Sequence, residues 1–200
     1  MSILHRWSKD FPIKKSAINY LNNHILDIIQ NTRQLTACYE KNFSNHKFRR
    51  LKEGLSLDIK NLSDLSDLSD LSDLSDLRAG NNNINYDYLR ESGHFIGDKL
   101  AVYAQVITNK DIYEKHQDKL QNLNNNPIGP TWLFLDKDII RSEFLFKSLS
   151  PTDTDKLYKS AVRWGMKSPV IARESDFIKK DKDNNILLNL KIIEVFDVFL

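Results

Sequence analysis

The stretch that most constrains the fold is Asn85 to Asn109, NYDYLRESGHFIGDKLAVYAQVITN. It reads as two strands meeting at Gly97-Asp98, because glycine then a small polar residue between alternating segments signals a two-residue hairpin. With the turn at 97–98, Ile96 pairs with Lys99, and an unbroken ladder sets Arg90 opposite Gln105. Side chains alternate along a strand, so this register puts Tyr86, Tyr88 and Arg90 on one face with Tyr103, Gln105 and Ile107. A guanidinium on such an aromatic face suits a planar anion, since its forked donors match a carboxylate bidentately. Taken alone, the simpler reading is an exposed arginine on the wet side of an antiparallel sheet.

The 200 residues suffice for one medium-sized domain with its own core. The net charge of +2 conceals an asymmetry, because five aspartates (64, 67, 70, 73 and 76) sit in one repeat. Without them 29 basic residues face 22 acidic ones, and this remainder of +7 favours an anionic partner. No tight basic run is interleaved with aromatics, so nucleic acid is not expected, and a small anion fits the charge as well. The single cysteine, Cys38, forbids an intramolecular disulfide and suits a reducing compartment. The start has no apolar signal core, and no run is long enough to span a bilayer. The five histidines lack metal-ligand spacing. These features lead us to expect a cytoplasmic, metal-free protein without nucleic acid or stable membrane insertion, and we take a monomer as the expected state.

Along the chain, Ile18, Leu21, Ile25, Ile28 and Ile29 fall at helical spacing. Asn31-Thr32 breaks that helix, and a second follows with Leu35, Cys38, Tyr39 and Phe43 inward. Residues 45–57 suit a strand with a bulge or turn at Gly54. Residues 62–77 are LSD repeated five times and then Leu77. A period of three gives no single apolar face on a helix or a strand, so this is predicted to be a low-complexity insertion. After the hairpin, residues 110–123 are helical in pattern and stop before Pro127. Strands are predicted over 141–147, 170–178 and 186–200, and residues 157–165 lead to a turn at Met166-Lys167-Ser168-Pro169. Helices mixed with hairpin-linked strands, without a βαβ rhythm, predict an α+β fold with an antiparallel sheet flanked by helices.

No phosphate-binding loop, dinucleotide fingerprint, nucleophile elbow or zinc-hydrolase motif is present. What remains are isolated ionisable residues on apolar strands, Arg90 and Glu174. Glu174 shares a face with Val170 and Ala172, and paired through space with Arg90 it becomes a candidate acid–base group beside an anion anchor.

Four short blocks, in order, carry a resemblance: Leu35-Thr36-x-x-Tyr39-Glu40, Tyr88-Leu89-Arg90-Glu91, Pro127-Ile128-Gly129 before Leu133-Phe134, and Ser168-Pro169-x-x-x-x-Glu174. Together, over about residues 24–178, they resemble chorismate lyase (chorismate–pyruvate lyase). The resemblance implies a sheet enclosing a pocket for a small aromatic acid under helical flaps. It implies that Arg90 grips the ring carboxylate with the backbone amides of Leu35 and Ile128, and that Glu174 lies by the ring hydroxyl. The reaction implied converts chorismate to 4-hydroxybenzoate and pyruvate, for ubiquinone synthesis, without cofactor or metal. Where the family pattern carries Gly-Arg this chain has Ala104-Gln105, which implies the loss of a second cation beside the substrate. Residues 179–200 run beyond the family's usual end and are expected to be an added segment. The alternative is a non-catalytic domain that binds a small aromatic acid as an effector, as in GntR-type regulators of the same general fold. Against it, residues 1–30 are too short for a winged helix.

Overall fold

A computed structural model of the protein describes residues 7–10, 23–55, 88–150 and 156–197. The LSD repeat and Tyr86 lie outside the described residues. Helices α1 (Asn23–Asn31) and α2 (Leu35–Asn42) lead into strand β1 (His46–Leu55). The hairpin of β2 (Tyr88–Ile96) and β3 (Lys99–Thr108) is followed by short helices α3 (Lys110–Lys115) and α4 (Gln117–Gln121). A single π-helical turn (Gly129–Leu133), β4 (Ile140–Arg141), β5 (Leu145–Ser148), α5 (Lys156–Arg163), β6 (Pro169–Lys180) and β7 (Ile186–Asp197) complete the order.

The seven strands form one sheet in the order β1-β2-β3-β7-β6-β4, with β5 also paired to β6. The strand pairs are antiparallel. This is the α+β architecture that the mixed pattern predicts. Residues 186–197 are not an appendage, because β7 lies between β3 and β6 and joins the two hairpins into one sheet. Its alternation decides this: Leu188, Leu190 and Ile192 bury one face, while Ile193 and Val195 bury the other. A strand apolar on both faces belongs in a sheet interior.

The hairpin turn falls at Gly97-Asp98, with Ile96 opposite Lys99. Gly97 has φ 61°, and only the first turn residue takes a positive φ, as in the glycine-first form of the tight turn. The expected register then fails one step further on. His94 pairs with Val102 and Phe95 with Leu100, so Ala101 is an extra residue and the ladder shifts by one. Such a bulge moves every later side chain to the other face. Arg90 therefore faces Val106, and Gln105 faces Glu91. In β1 the irregularity lies between Arg50 and Lys52, not at Gly54.

One sheet face packs Leu89, Tyr103, Ile107, Ala172, Ile193 and Val195 against Leu157 and Ala161 of α5. The opposite face is covered by two separate groups. Ile28 and Ile29 of α1 with Leu35 and Tyr39 of α2 cover Val102, Ile171 and Phe196 at one end. Ile112, Leu120, Leu123, Ile128, Trp132 and Leu133 cover Tyr88, Val106, Phe177 and Ile192 at the other. The site lies where these two covers meet.

Candidate functional site

Between the covers is a cavity of about 50 Å³, walled by Phe48, Ala104, Val106, Phe177 and Ile192 and roofed by Leu35, Ile128, Gly129 and Phe134. Its charged lining is Arg33, Arg90, Arg141 and Glu194. That volume holds a few waters, so a ring-sized ligand enters only if α2 and the Gly129–Leu133 turn move apart.

Arg90 projects from β2 and is 1% exposed. Its Nη1 donates to Glu53 Oε2 at 2.9 Å, and its Nη2 donates to the carbonyls of Asn124 (2.8 Å) and Asn126 (3.0 Å). Glu53 is itself gripped, accepting from Tyr88 Oη at 2.5 Å and Arg50 Nη1 at 2.9 Å. Arg90 is thus held rigidly, with three of its five N–H donors committed among the described residues.

Glu194, from β7, is the carboxylate of this cavity. It accepts from Arg173 Nε at 2.5 Å and lies 3.7 Å from Arg141 Nη2. Arg173 is 0% exposed, and its Nη1 ties the sheet to α1 through the carbonyls of Ile28 (3.2 Å) and Ile29 (2.7 Å). Its guanidinium lies 4.3 Å from the Phe144 ring centre and 5.2 Å from that of Phe196. Arg141 donates from Nε to Ser175 Oγ at 2.9 Å and from Nη1 to the Arg33 carbonyl. Burial pushes Glu194 up, but Arg173 and Arg141 outweigh it and hold the carboxyl below its ordinary value. Burial brings Arg141 down to about 10, so both members of that pair are charged at neutral pH. The buried cluster therefore presents an ionised acceptor at Glu194 and guanidinium donors around it.

His94 borders the same cavity and stacks on His46, with His46 Nε2 3.0 Å from His94 Nδ1. Burial, then the neighbouring His46, lowers His94 to about 3, so it is a neutral hydrogen-bonding group at pH 7. An unfolded histidine titrates near ~6.5, so the unfolded chain binds the extra proton first as pH falls. Stability from this group is complete above about pH 6.5 and falls as pH drops below it, in concert with the adjoining His46, which burial also lowers. His94→Gln is expected to flatten this loss when urea midpoints at pH 7.5 and pH 5 are compared. An unchanged pH slope would show that His94 is not its source.

Of the residues singled out in the sequence, Arg90, Leu35 and Ile128 come together around the cavity, and Glu174 does not. Glu174 does share a face with Ala172, but that face packs toward α5. Arg173, Ser175 and Phe177 take the cavity side of β6, as the contacts of Arg173 with Glu194 and of Phe177 with the cavity show. Glu174 pairs with Lys191 Nζ at 3.1 Å; burial raises its carboxyl, and Lys191 opposes the shift. Gln105 also leaves the site, donating to Tyr103 Oη at 2.8 Å on the far face. Two cations from elsewhere in the chain, Arg33 and Arg141, line the cavity with Arg90. Leu35 opens α2, whose N-cap residue Gln34 makes no side-chain cap, so the first-turn N–H groups carry no side-chain acceptor there. Sequence reasoning missed Glu194, although a lone carboxylate inside Ile192-Ile193-Glu194-Val195-Phe196 is itself a signal, since charges are rarely buried without a partner.

The fold and cavity define the chain's class as an α+β protein whose antiparallel sheet carries an arginine-rich internal site. No protein-family model matches this chain, and no curated protein matches it. Among the described residues no helix is long and apolar enough to cross a membrane, and no group of acidic, histidine or cysteine side chains is arranged to hold a metal.

Proposed function

We propose that the protein is a chorismate lyase-like enzyme, converting chorismate to 4-hydroxybenzoate and pyruvate in the cavity between Arg90 and Glu194. The observation that carries this reading is charge. The lining holds Arg33, Arg90 and Arg141 against Glu194, an excess of two positive charges. Adding the partners Glu53 and Arg173 leaves that excess at two. Chorismate is a dianion, and it neutralises such a site.

In this reading the ring carboxylate sits against Arg90 and the amides at Leu35 and Ile128, which join a helix N-terminus to a guanidinium fork. Glu194 lies two interstrand steps away, each of ~4.8 Å, at the opposite end of a ring laid across Val106 and Ala104. An ionised Glu194 accepts a hydrogen bond from the ring hydroxyl. The ether C–O bond to the ring breaks, the ring loses a proton as it becomes aromatic, and the enolpyruvyl unit gains one to leave as pyruvate. Aromatisation supplies much of the driving force, so the protein's work is to bind, orient and exclude water.

A second reading is favoured by one observation: Glu194 is already bridged to two arginines, an arrangement that suits holding a ligand without turnover. The two readings separate in one experiment. Incubation of purified protein with chorismate is expected to yield 4-hydroxybenzoate and pyruvate in equal amounts by chromatography. Tight 4-hydroxybenzoate binding with no product sinks the lyase reading and leaves the effector-binding one.

A further inference from the structure

A second cavity, of about 230 Å³, lies against the same Gly129–Leu133 turn but with different walls. Trp132, Ile139, Leu187 and Leu188 give it apolar surface, and Lys115, Lys119 and Lys179 give it charge. Asp136 is the one carboxylate in its lining, and Lys179 donates to both of its oxygens at 3.1 Å and 2.9 Å. Lys115 and Lys119 form no ion pair among the described residues; Lys179 also pairs with Asp138 at 3.2 Å, so the lining and its partners keep an excess of one positive charge. Lys119 Nζ is 5.1 Å from the Trp132 ring centre. His116 Nε2 lies 3.0 Å from the Leu187 carbonyl, which holds the α3–α4 junction to β7. The Trp132 indole N–H is buried without an acceptor.

An apolar wall with more ammonium than carboxylate groups among the described residues asks for one molecule with both an apolar body and an acid group. The volume falls just below the ~300–1,000 Å³ of pockets for drug-sized ligands, which limits the occupant to about one ring. The geometry points to a second binding site, for a small single-ring carboxylate, formed by Trp132, Lys115, Lys119 and Leu187. It is distinct from the first cavity, yet the two share a wall element. Ile128, Gly129 and Phe134 line the first, and Trp132 of the same turn lines the second. A carboxylate held at Lys115 and Lys119 with its ring on Trp132 braces that turn, and so couples to the opening that a ring-sized ligand of the first cavity requires.

The test uses the full chain labelled with 5-fluorotryptophan and benzoate as probe, with the Trp132 ¹⁹F resonance assigned by Trp132→Phe. Benzoate at millimolar concentration is expected to shift that resonance saturably, and inorganic phosphate is expected not to. The double variant Lys115→Glu/Lys119→Glu changes only exposed side chains and is expected to raise the benzoate Kd by about tenfold or more. Arg33→Glu, at the first cavity, is expected to leave that Kd within about twofold. The inference is overturned by no saturable shift, by an unchanged Kd in the lysine variant, by equal weakening in Arg33→Glu, or by phosphate acting like benzoate. Thermal midpoints equal to that of the parent show that the variants are folded.

Discussion

Glu194→Gln is expected to lower chorismate turnover by about 10²–10⁴-fold, the range for loss of a positioned acid–base or orienting group, while Glu174→Gln leaves it within about threefold. The contrast follows from the register of β6 and β7. Glu194 lines the arginine-rich cavity, whereas Glu174 pairs with Lys191 on the face packed toward α5. Glutamine keeps the size of Glu194 and still accepts from Arg173, but it removes the charge that holds Arg173 and Arg141 in place. Folding is therefore checked alongside by thermal melting. Loss of turnover in Glu174→Gln with retention in Glu194→Gln would place the chemistry on the side of the sheet away from Arg90 and overturn the proposed site.

Arg173→Leu is expected to cost about 3–5 kcal/mol of stability, the usual price of leaving a buried charge without its partner. The guanidinium is fully buried and joins Glu194 to the carbonyls of Ile28 and Ile29. Its loss leaves Glu194 with only the longer 3.7 Å pairing to Arg141 and releases the contact that docks α1 on the sheet. Replacing both members, Arg173→Leu with Glu194→Leu, is expected to recover part of the loss, because the buried carboxylate is gone while Arg141 keeps its bonds to Ser175 Oγ and the Arg33 carbonyl. Urea unfolding measures both. A cost below about 1 kcal/mol for the single variant would show that water or another group compensates Glu194.

Much of the architecture was legible because alternation and turn chemistry act locally. Gly97-Asp98 marks its hairpin through a positive φ that glycine tolerates, and Pro127 stops the pattern before it as its missing N–H requires. The register was not legible, since nothing in Leu100-Ala101-Val102 announces that Ala101 is the extra residue. One unseen bulge exchanged Gln105 for Val106 opposite Arg90 and sent a supposed site residue to the far face. The same kind of uncertainty governs Glu174. Alternation shows that it shares a face with Ala172, but not which face holds the cavity. That decision is made by α5 on one side and by α1, α2 and the Gly129–Leu133 turn on the other, contacts between residues far apart in the chain. Glu194 was hidden for a related reason. Its segment looked like an addition beyond the domain, when it supplies an interior strand. Arg90, Leu35 and Ile128, carried by short local blocks, line the cavity.

The central claim is that the ligand lies on the Arg90–Glu194 face of the sheet. Ile192 and Ile193 test it most directly, being adjacent in β7 and buried on opposite faces, with Ile192 in the cavity wall and Ile193 in the core beneath α5. In a ¹³C methyl spectrum, titration with 4-hydroxybenzoate is expected to shift Ile128, Val106 and Ile192 together along one binding curve, while Ile107 and Ile193 stay in place. Shifts confined to Ile107 and Ile193, with Ile128 and Ile192 unmoved, would contradict it.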